Sequence, residues 1–166
     1  MIRFNGLAKL ISILCIVFAV SIVAETASHA QQDIRLSKGQ TVYVPVYSHI
    51  YFGDKETPFY LAATISIRNI DQTGTIAITE VNYYDTNGRL IKKYLEKPIQ
   101  LGANASTRFV IKESDDKGGS GANFIVRWRS DIQVNTPIVE SIMIGTRNQQ
   151  GVSFTSRGQA IGDGSR

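Results

Sequence analysis

Cysteine and histidine are almost absent from this sequence of 166 residues. The single cysteine is Cys15, near the amino terminus, and the two histidines are His29 and His49. Thiolate nucleophiles, disulfide frameworks and zinc sites therefore have almost no residues to draw on, and we expect no metal site and no cofactor. A catalytic triad would depend on His49, which we expect to be an ordinary surface or loop residue.

The sequence also lacks a strong excess of charge of either sign. The formal net charge is +4 at pH 7, and the basic residues are scattered, with Lys92-Lys93 as the adjacent pair. Nucleic-acid-binding proteins concentrate basic residues in a patch or stripe. We therefore predict no nucleic-acid partner.

Long apolar runs are missing with one exception, the uncharged stretch 10–24. Basic residues precede it, and Ser28 and Ala30 place small residues where a signal peptidase reads the chain. We predict a signal peptide over residues 1–30 and a mature chain starting near Gln31, periplasmic or secreted. The run is shorter than the roughly 20 residues of a spanning helix. A retained membrane anchor is the alternative, and only this segment is expected to contact a membrane.

Residues 31–157 are predicted to form one all-β domain. Short stretches of alternating apolar side chains occur at 41–47, 61–67, 107–111, 124–128 and 138–146. About 7–8 such strands, separated by turn signals, are typical of an immunoglobulin-like antiparallel β-sandwich. A small closed β-barrel is the alternative. Residues 158–166 are rich in glycine and polar side chains and are predicted to be a disordered tail.

Three local patterns give sharper predictions. Pro45 has no N–H to donate, so the strand around it is expected at a sheet edge. The apolar alternation changes phase near Thr79-Glu80, which indicates a β-bulge. Asn87-Gly88 supplies residues that tolerate positive φ, which predicts a hairpin at this point.

Two segments contain the candidate ligand-binding residues. One is rich in aromatic rings between residues 43 and 60, and the other is a glycine-rich loop at 114–121. Flat rings on a rigid scaffold hold sugars or peptides, and a glycine loop with a lysine can cradle an anion. We favour the structural interpretations, in which the rings cover the end of the core and the glycine-rich segment is a flexible loop between strands. The candidates are Tyr47, His49, Tyr51, Phe52, Phe59, Tyr60, Lys117, Gly118 and Gly119.

Carboxylates inside apolar strands offer an enzymatic alternative. Glu80 and Glu140, or the adjacent Asp115 and Asp116, would serve a glycan-hydrolysing site if two carboxyl groups faced each other. We expect ion pairs with neighbouring strands instead. Placement of Glu80 and Glu140 against arginines would remove this alternative.

Several short segments of the sequence, taken in order, resemble a bacterial family known as domain of unknown function 3124. They are Val81-Asn82-Tyr83-Tyr84-Asp85, Gly118-Gly119-Ser120-Gly121-Ala122-Asn123-Phe124-Ile125-Val126-Arg127-Trp128, Pro137-Ile138-Val139-Glu140 with Met143-Ile144-Gly145, and Gly151-Val152-Ser153-Phe154. The resemblance covers roughly residues 36–161. It implies a bacterial source and carries no activity, ligand or site residue.

These observations together favour an exported, non-catalytic β-sandwich that binds an envelope component or a protein partner. The first alternative is the glycan-active enzyme. The second is an assembly protein that recruits a partner through an exposed edge strand at 42–47.

Overall fold

The computed structural model describes residues 36–163. The predicted signal peptide and the last three residues of the predicted tail lie outside the described part. Within 36–163 the structure contains strands and turns, and none of it is a helix suited to crossing a membrane.

Twelve β-strands follow one another along the described chain. They are β1 (Leu36–Pro45), β2 (His49–Phe52), β3 (Thr57–Tyr60), β4 (Ala62–Arg68), β5 (Ile76–Tyr84), β6 (Leu90–Lys93), β7 (Ile99–Leu101), β8 (Ser106–Ile111), β9 (Asn123–Asn135), β10 (Ile138–Arg147), β11 (Gln150–Arg157) and β12 (Gln159–Asp163).

The strands form two large antiparallel sheets and one small hairpin. The six-stranded sheet has the order β12-β1-β9-β5-β6, with β7 also paired to β5, and the four-stranded sheet has the order β11-β10-β4-β8. Strands β2 and β3 pair with each other. Neither large sheet closes on itself over the described residues, so the predicted β-sandwich is confirmed and the barrel alternative is wrong. The structure has more strands than predicted because short ones, such as β7, escape a pattern search.

The core lies between the two large sheets. Val42, Ile78 and Trp128 face inward from the six-stranded sheet, and Ile65 and Met143 face them from the four-stranded sheet. All of these side chains are buried. Each strand contributes alternate residues because successive side chains point to opposite faces, which explains the alternating apolar pattern of the sequence.

The predicted irregularities of β5 are confirmed. Its register against β9 shifts between Ile78 and Glu80, where the apolar pattern changes phase. The turn into β6 has one residue with positive φ, Gly88 at +76°, and its N–H donates to the carbonyl oxygen of Asp85 at 2.9 Å. One glycine, rather than two residues of positive φ, is therefore enough to reverse the chain here.

The prediction that the strand around Pro45 forms a sheet edge is wrong. Strand β1 lies between β9 and β12, and residues 40–43 pair with 159–163. Pro45 is tolerated because it lies beyond the segment that pairs with β12, so no partner strand requires its missing N–H. Because β12 covers residues 42 and 43, the alternative of partner recruitment at 42–47 is weakened over that part of the strand.

The predicted disordered tail is wrong over residues 159–163, which form β12. At Gly158 the chain passes from the four-stranded sheet, where β11 pairs with β10, to the six-stranded sheet. The Gly158 N–H donates to the carbonyl oxygen of Val139 at 2.8 Å. A Cβ at this position would lie 2.9 Å from that oxygen and 2.7 Å from a methyl carbon of Val42, so the crossing requires glycine.

A buried polar network closes one end of the sandwich. Asp71 accepts hydrogen bonds from the backbone N–H groups of Asn135, Gly74 and Thr73, at 2.8, 2.7 and 3.0 Å. These donors hold the pKa of Asp71 at about 2, below its usual value of 3.8, because they stabilise the ionised carboxylate. The side chain of Asn69 donates to the carbonyl oxygens of Gly74, Leu101 and Gly102 nearby.

Candidate functional site

The aromatic segment forms the β2–β3 hairpin and divides into two groups. Tyr47 and Phe59 pack against the core, as the core-covering interpretation expects, and Tyr47 meets the ring of Phe154 edge-on at 5.6 Å. Tyr51, Phe52 and Tyr60 are 52%, 48% and 44% exposed. The hairpin therefore covers the core with some of its rings and presents the others to solvent.

His49 lies at the base of this hairpin among hydroxyl groups. Its Nδ1 is 3.4 Å from Ser48 Oγ and its Nε2 is 3.0 Å from Tyr51 Oη. Its ring also meets Tyr60 edge-on, with centroids 6.0 Å apart. Within 36–163 no carboxylate hydrogen-bonds the imidazole, so the acid that a triad requires is not in place.

The glycine-rich loop is tied to two neighbouring turns. The Thr86 N–H and hydroxyl both donate to the carbonyl oxygen of Gly118, at 2.9 and 3.0 Å. The N–H of buried Ser48 donates to the carbonyl oxygen of Gly119 at 3.1 Å, and the N–H of Gly121 donates to Thr86 Oγ1 at 3.0 Å. Long-range hydrogen bonds therefore connect this loop to the turns at Thr86 and Ser48.

Hydrogen bonds within the loop occupy two of the N–H donors that an anion cradle would use. The N–H groups of Lys117 and Gly119 donate to Asp115 Oδ1 and the Asp116 carbonyl oxygen, at 3.4 and 3.2 Å. Gly118 is required for another reason: a Cβ there would lie 1.9 Å from the hydroxyl oxygen of Tyr83. Gly119 has φ +78°. These glycines serve close packing and backbone geometry rather than a set of converging donors.

Two adjoining cavities lie beside the hairpin. The first, of about 300 Å³, is lined by Thr57, Pro58, Phe59, Tyr60, Glu113, Thr146 and Arg147. The second, of about 430 Å³, is lined by Tyr60, Glu113, Ser114 and Asp116. Because they share Tyr60 and Glu113, we treat them as one groove, the hairpin cleft. It joins strand β3, the end of β10 and the segment that follows β8.

Arg147 holds one end of the hairpin cleft. Its Nη1 donates to the carbonyl oxygen of Pro58 at 3.2 Å, and its guanidinium lies 5.3 Å from the centroid of the Phe52 ring. A planar guanidinium both stacks on an aromatic face and donates several hydrogen bonds. Arg147 therefore links both strands of the hairpin to the end of β10.

Glu80 and Glu140 do not form a catalytic pair. Glu80 Oε2 is 3.0 Å from Arg127 Nη1 in the six-stranded sheet, and Glu140 Oε1 is 3.5 Å from Arg68 Nε in the four-stranded sheet. Each carboxylate is thus bound to an arginine of the neighbouring strand, as cross-strand pairing predicts. The glycan-hydrolysing alternative built on these two residues is wrong.

Comparison with known proteins shows which family this chain belongs to. A family model described as "Protein of unknown function (DUF3124)" matches residues 39–161. The chain belongs to this family. Among solved structures, "Crystal Structure of Thermotoga maritima 1070" is similar with a TM-score of 0.43 and 8% identity, over 72% of this chain and 92% of that chain. At that score and identity the likeness says nothing about a ligand. None of the curated proteins matches the chain.

This DUF3124 protein brings part of the predicted site together. Phe59 and Tyr60 line the hairpin cleft, and His49, Tyr51 and Phe52 lie on the same hairpin. Tyr47 lies apart against Phe154, and Lys117, Gly118 and Gly119 do not line either cavity. Over residues 36–163 no cluster of three His, Cys, Asp or Glu side chains is placed to hold a metal ion.

Sequence reasoning missed Glu113 and Arg147. Glu113 follows β8, and Arg147 is the last residue of β10. Both occupy ordinary polar positions next to a strand end, and nothing in the local pattern separates them from other surface charges. Only the pairing of the strands shows that these two ends meet the hairpin.

Proposed function

We propose that this DUF3124 protein is an exported bacterial β-sandwich that binds an envelope component or a protein partner in the hairpin cleft without catalysing a reaction. The observation that supports this most is the position of Tyr60, an exposed ring that lines both cavities of the cleft. Aromatic rings held on a rigid scaffold offer a large contact area at low entropic cost.

The cleft walls are held in place before any ligand arrives. The first link joins the hairpin to the glycine-rich loop. It is made by Ser48, whose N–H and Oγ are both 3.1 Å from the Gly119 carbonyl oxygen. The second link is Arg147, which donates to the Pro58 carbonyl oxygen. A preformed site loses less conformational entropy on binding, which favours a recognition role.

The chemistry around the cleft supports binding over catalysis. His49, on the hairpin, contacts hydroxyl groups, and among the described residues no hydrogen bond or ion pair orients the carboxylates of Glu113 and Asp116, the two acids that line the cleft. A hydrolytic site needs a base or a nucleophile oriented by a further group. The side chains that line the cleft are instead suited to stacking and to hydrogen bonding with a ligand.

Export is proposed from the amino-terminal sequence. The apolar stretch 10–24 with preceding basic residues and small residues at Ser28 and Ala30 has the features of a signal peptide. The periplasm or the cell exterior is therefore the proposed location, and a retained anchor is the alternative. An envelope component would then be within reach of the cleft.

A capture experiment tests the binding role. The full chain, carrying an affinity tag, is incubated with a solubilised bacterial envelope fraction, in parallel with the variants Tyr60→Ala and Val110→Ala. Val110 is a matched control, since it is equally exposed but lies on β8 in the four-stranded sheet. We expect a component that the wild type and Val110→Ala both retain and Tyr60→Ala loses. Equal recovery by all three proteins would contradict the proposal, and thermal unfolding shows whether each variant is folded.

A further inference from the structure

The second cavity of the hairpin cleft is lined by two carboxylates that lack an ion-pair partner. Glu113 and Asp116 are both exposed there, beside the ring of Tyr60. Over residues 36–163 the ion pairs are Arg68–Glu140 and Arg127–Glu80, and neither includes these two acids. Neither carboxylate is therefore held in an ion pair with another described residue.

No basic side chain lines the second cavity, and Lys112, which precedes Glu113 in the chain, is exposed and is not among its lining residues. Arg147 lines the first cavity, where its guanidinium is occupied by the Phe52 ring and the Pro58 carbonyl oxygen. Lys117 is exposed and lines neither cavity. The second cavity thus has an aromatic wall and an acidic wall, and no basic residue lines it.

The electrostatic effect of this loop is also visible at the buried tyrosine beneath it. Burial raises the pKa of Tyr83, and the carboxylates of Asp115 and Asp116 raise it further. A neighbouring negative charge disfavours ionisation of a phenol. The carboxylates of this loop, which sequence alone suggested as an anion site, thus act on the buried core beneath it.

We propose that the second cavity of the hairpin cleft binds the ammonium or guanidinium group of a basic side chain presented by a polypeptide. This inference rests on the proposed binding function and names its ligand chemistry. A cation placed between Tyr60, Glu113 and Asp116 would gain both a cation–π contact and charge-assisted hydrogen bonds.

The shape of the cavity selects a polypeptide rather than a free small amine. All four lining residues, Tyr60, Glu113, Ser114 and Asp116, are exposed, so the cavity is shallow. Small-molecule sites usually bury most of the ligand surface. A lysine or arginine carried on a peptide adds backbone contacts along the remaining cleft, where Thr57, Pro58 and Thr146 line the first cavity.

Calorimetric titration of the full chain tests this proposal. The probes are an extended peptide of alternating lysine and serine, the same peptide with every lysine Nε-acetylated, and spermidine as the free amine. We expect the lysine peptide to bind, and acetylation to weaken binding at least about tenfold. Spermidine should bind more weakly than the lysine peptide at equal ionic strength.

Charge-removing variants give the matching control. Glu113→Gln together with Asp116→Asn should weaken the lysine peptide about tenfold, whereas Glu96→Gln, an exposed acid on another loop, should leave it unchanged. Tyr60→Ala should also weaken it.

The outcomes separate this inference from the proposed function. If the acetylated peptide binds equally well and Tyr60→Ala still abolishes binding, the inference of a cationic ligand is wrong, and the cleft remains the binding site. If spermidine binds as tightly as the peptide, the polypeptide source is overturned. If no probe binds the wild type and the envelope capture is also unaffected by Tyr60→Ala, both proposals fail.

Discussion

Gly118 lies directly against the buried phenol of Tyr83. A Cβ built on Gly118 would be 1.9 Å from the Tyr83 hydroxyl oxygen and 2.8 Å from the Ala122 methyl carbon. The Tyr83 ring also stacks on Phe124, with centroids 5.0 Å apart and planes 20° apart. The glycine-rich loop therefore packs over the core at the end of the sandwich that contains the cleft.

Gly118→Ala should destabilise the protein. The added methyl group must displace Tyr83 or the loop, and overpacking of this kind costs about 1–3 kcal/mol. The matched control is Gly102→Ala, where a Cβ meets nothing within 4 Å and φ is not positive. Its free energy of unfolding should change by less than about 0.5 kcal/mol. Urea denaturation of the three proteins measures both values, and equal stability of the two variants would contradict the packing argument.

Asp71 should make the stability depend on pH in the acid range. Its pKa is lowered from 3.8 to about 2 in the folded protein, so the folded state binds its proton more weakly than the unfolded state. The stabilisation is present above pH 3.8 and is lost as the pH falls toward 2. Thermal melts should show a deficit of Asp71→Asn relative to wild type at pH 6 that shrinks as the pH approaches 2.

The control for Asp71 is Asp131→Asn, which removes an exposed carboxylate from β9. Its difference from wild type should stay small across the same pH range. A deficit of Asp71→Asn that remained constant from pH 6 to pH 2 would show that the carboxylate charge is not what the backbone donors stabilise.

Gly158→Ala should loosen the last strand. The new Cβ would lie 2.7 Å from Val42 and 2.9 Å from the Val139 carbonyl oxygen, so the passage between the two sheets becomes strained. We expect a loss of about 1–3 kcal/mol and faster amide hydrogen exchange in β12. Gly162→Ala is the control in the same strand, since its nearest neighbour is Thr41 Cβ at 4.0 Å. Equal exchange rates in both variants would contradict this assignment.

Export should produce a mature chain that starts near Gln31. Amino-terminal sequencing of the protein from a bacterial periplasmic fraction measures the start directly. Ala30→Tyr should block processing, because signal peptidases require small residues at this position, whereas His29→Tyr should be processed normally. An intact amino terminus in the membrane fraction for the wild type would favour the retained anchor.

The fold could be predicted from sequence wherever apolar side chains alternate. The bulge at Glu80 was detectable because a one-residue insertion reverses the inward-facing phase, and β5 shows this shift in its register. Strand β12 gave no such signal. All five of its residues are exposed, so its pairing with β1 rests on the backbone, which the residue pattern does not encode.

The candidate site could be predicted only in part. Tyr60 was found because aromatic residues cluster locally in the sequence, while Glu113 reaches the cleft through the pairing of distant strands. The hydrogen bonds of the glycine-rich loop could not be predicted, because their partners Thr86 and Ser48 are far away in sequence. A hydrogen bond between a loop and a distant segment leaves no periodic pattern in the sequence.

The pairing of β1 with β12 has a consequence for the order in which the sheet forms. Residues 40–43 find one partner at 123–135 and the other at 159–163, so the six-stranded sheet needs the last strand as well as the first. These two strands are more than a hundred positions apart in the sequence, so their pairing closes a very long loop. Contacts of such high sequence separation form slowly, and we expect β12 to dock onto β1 late in folding.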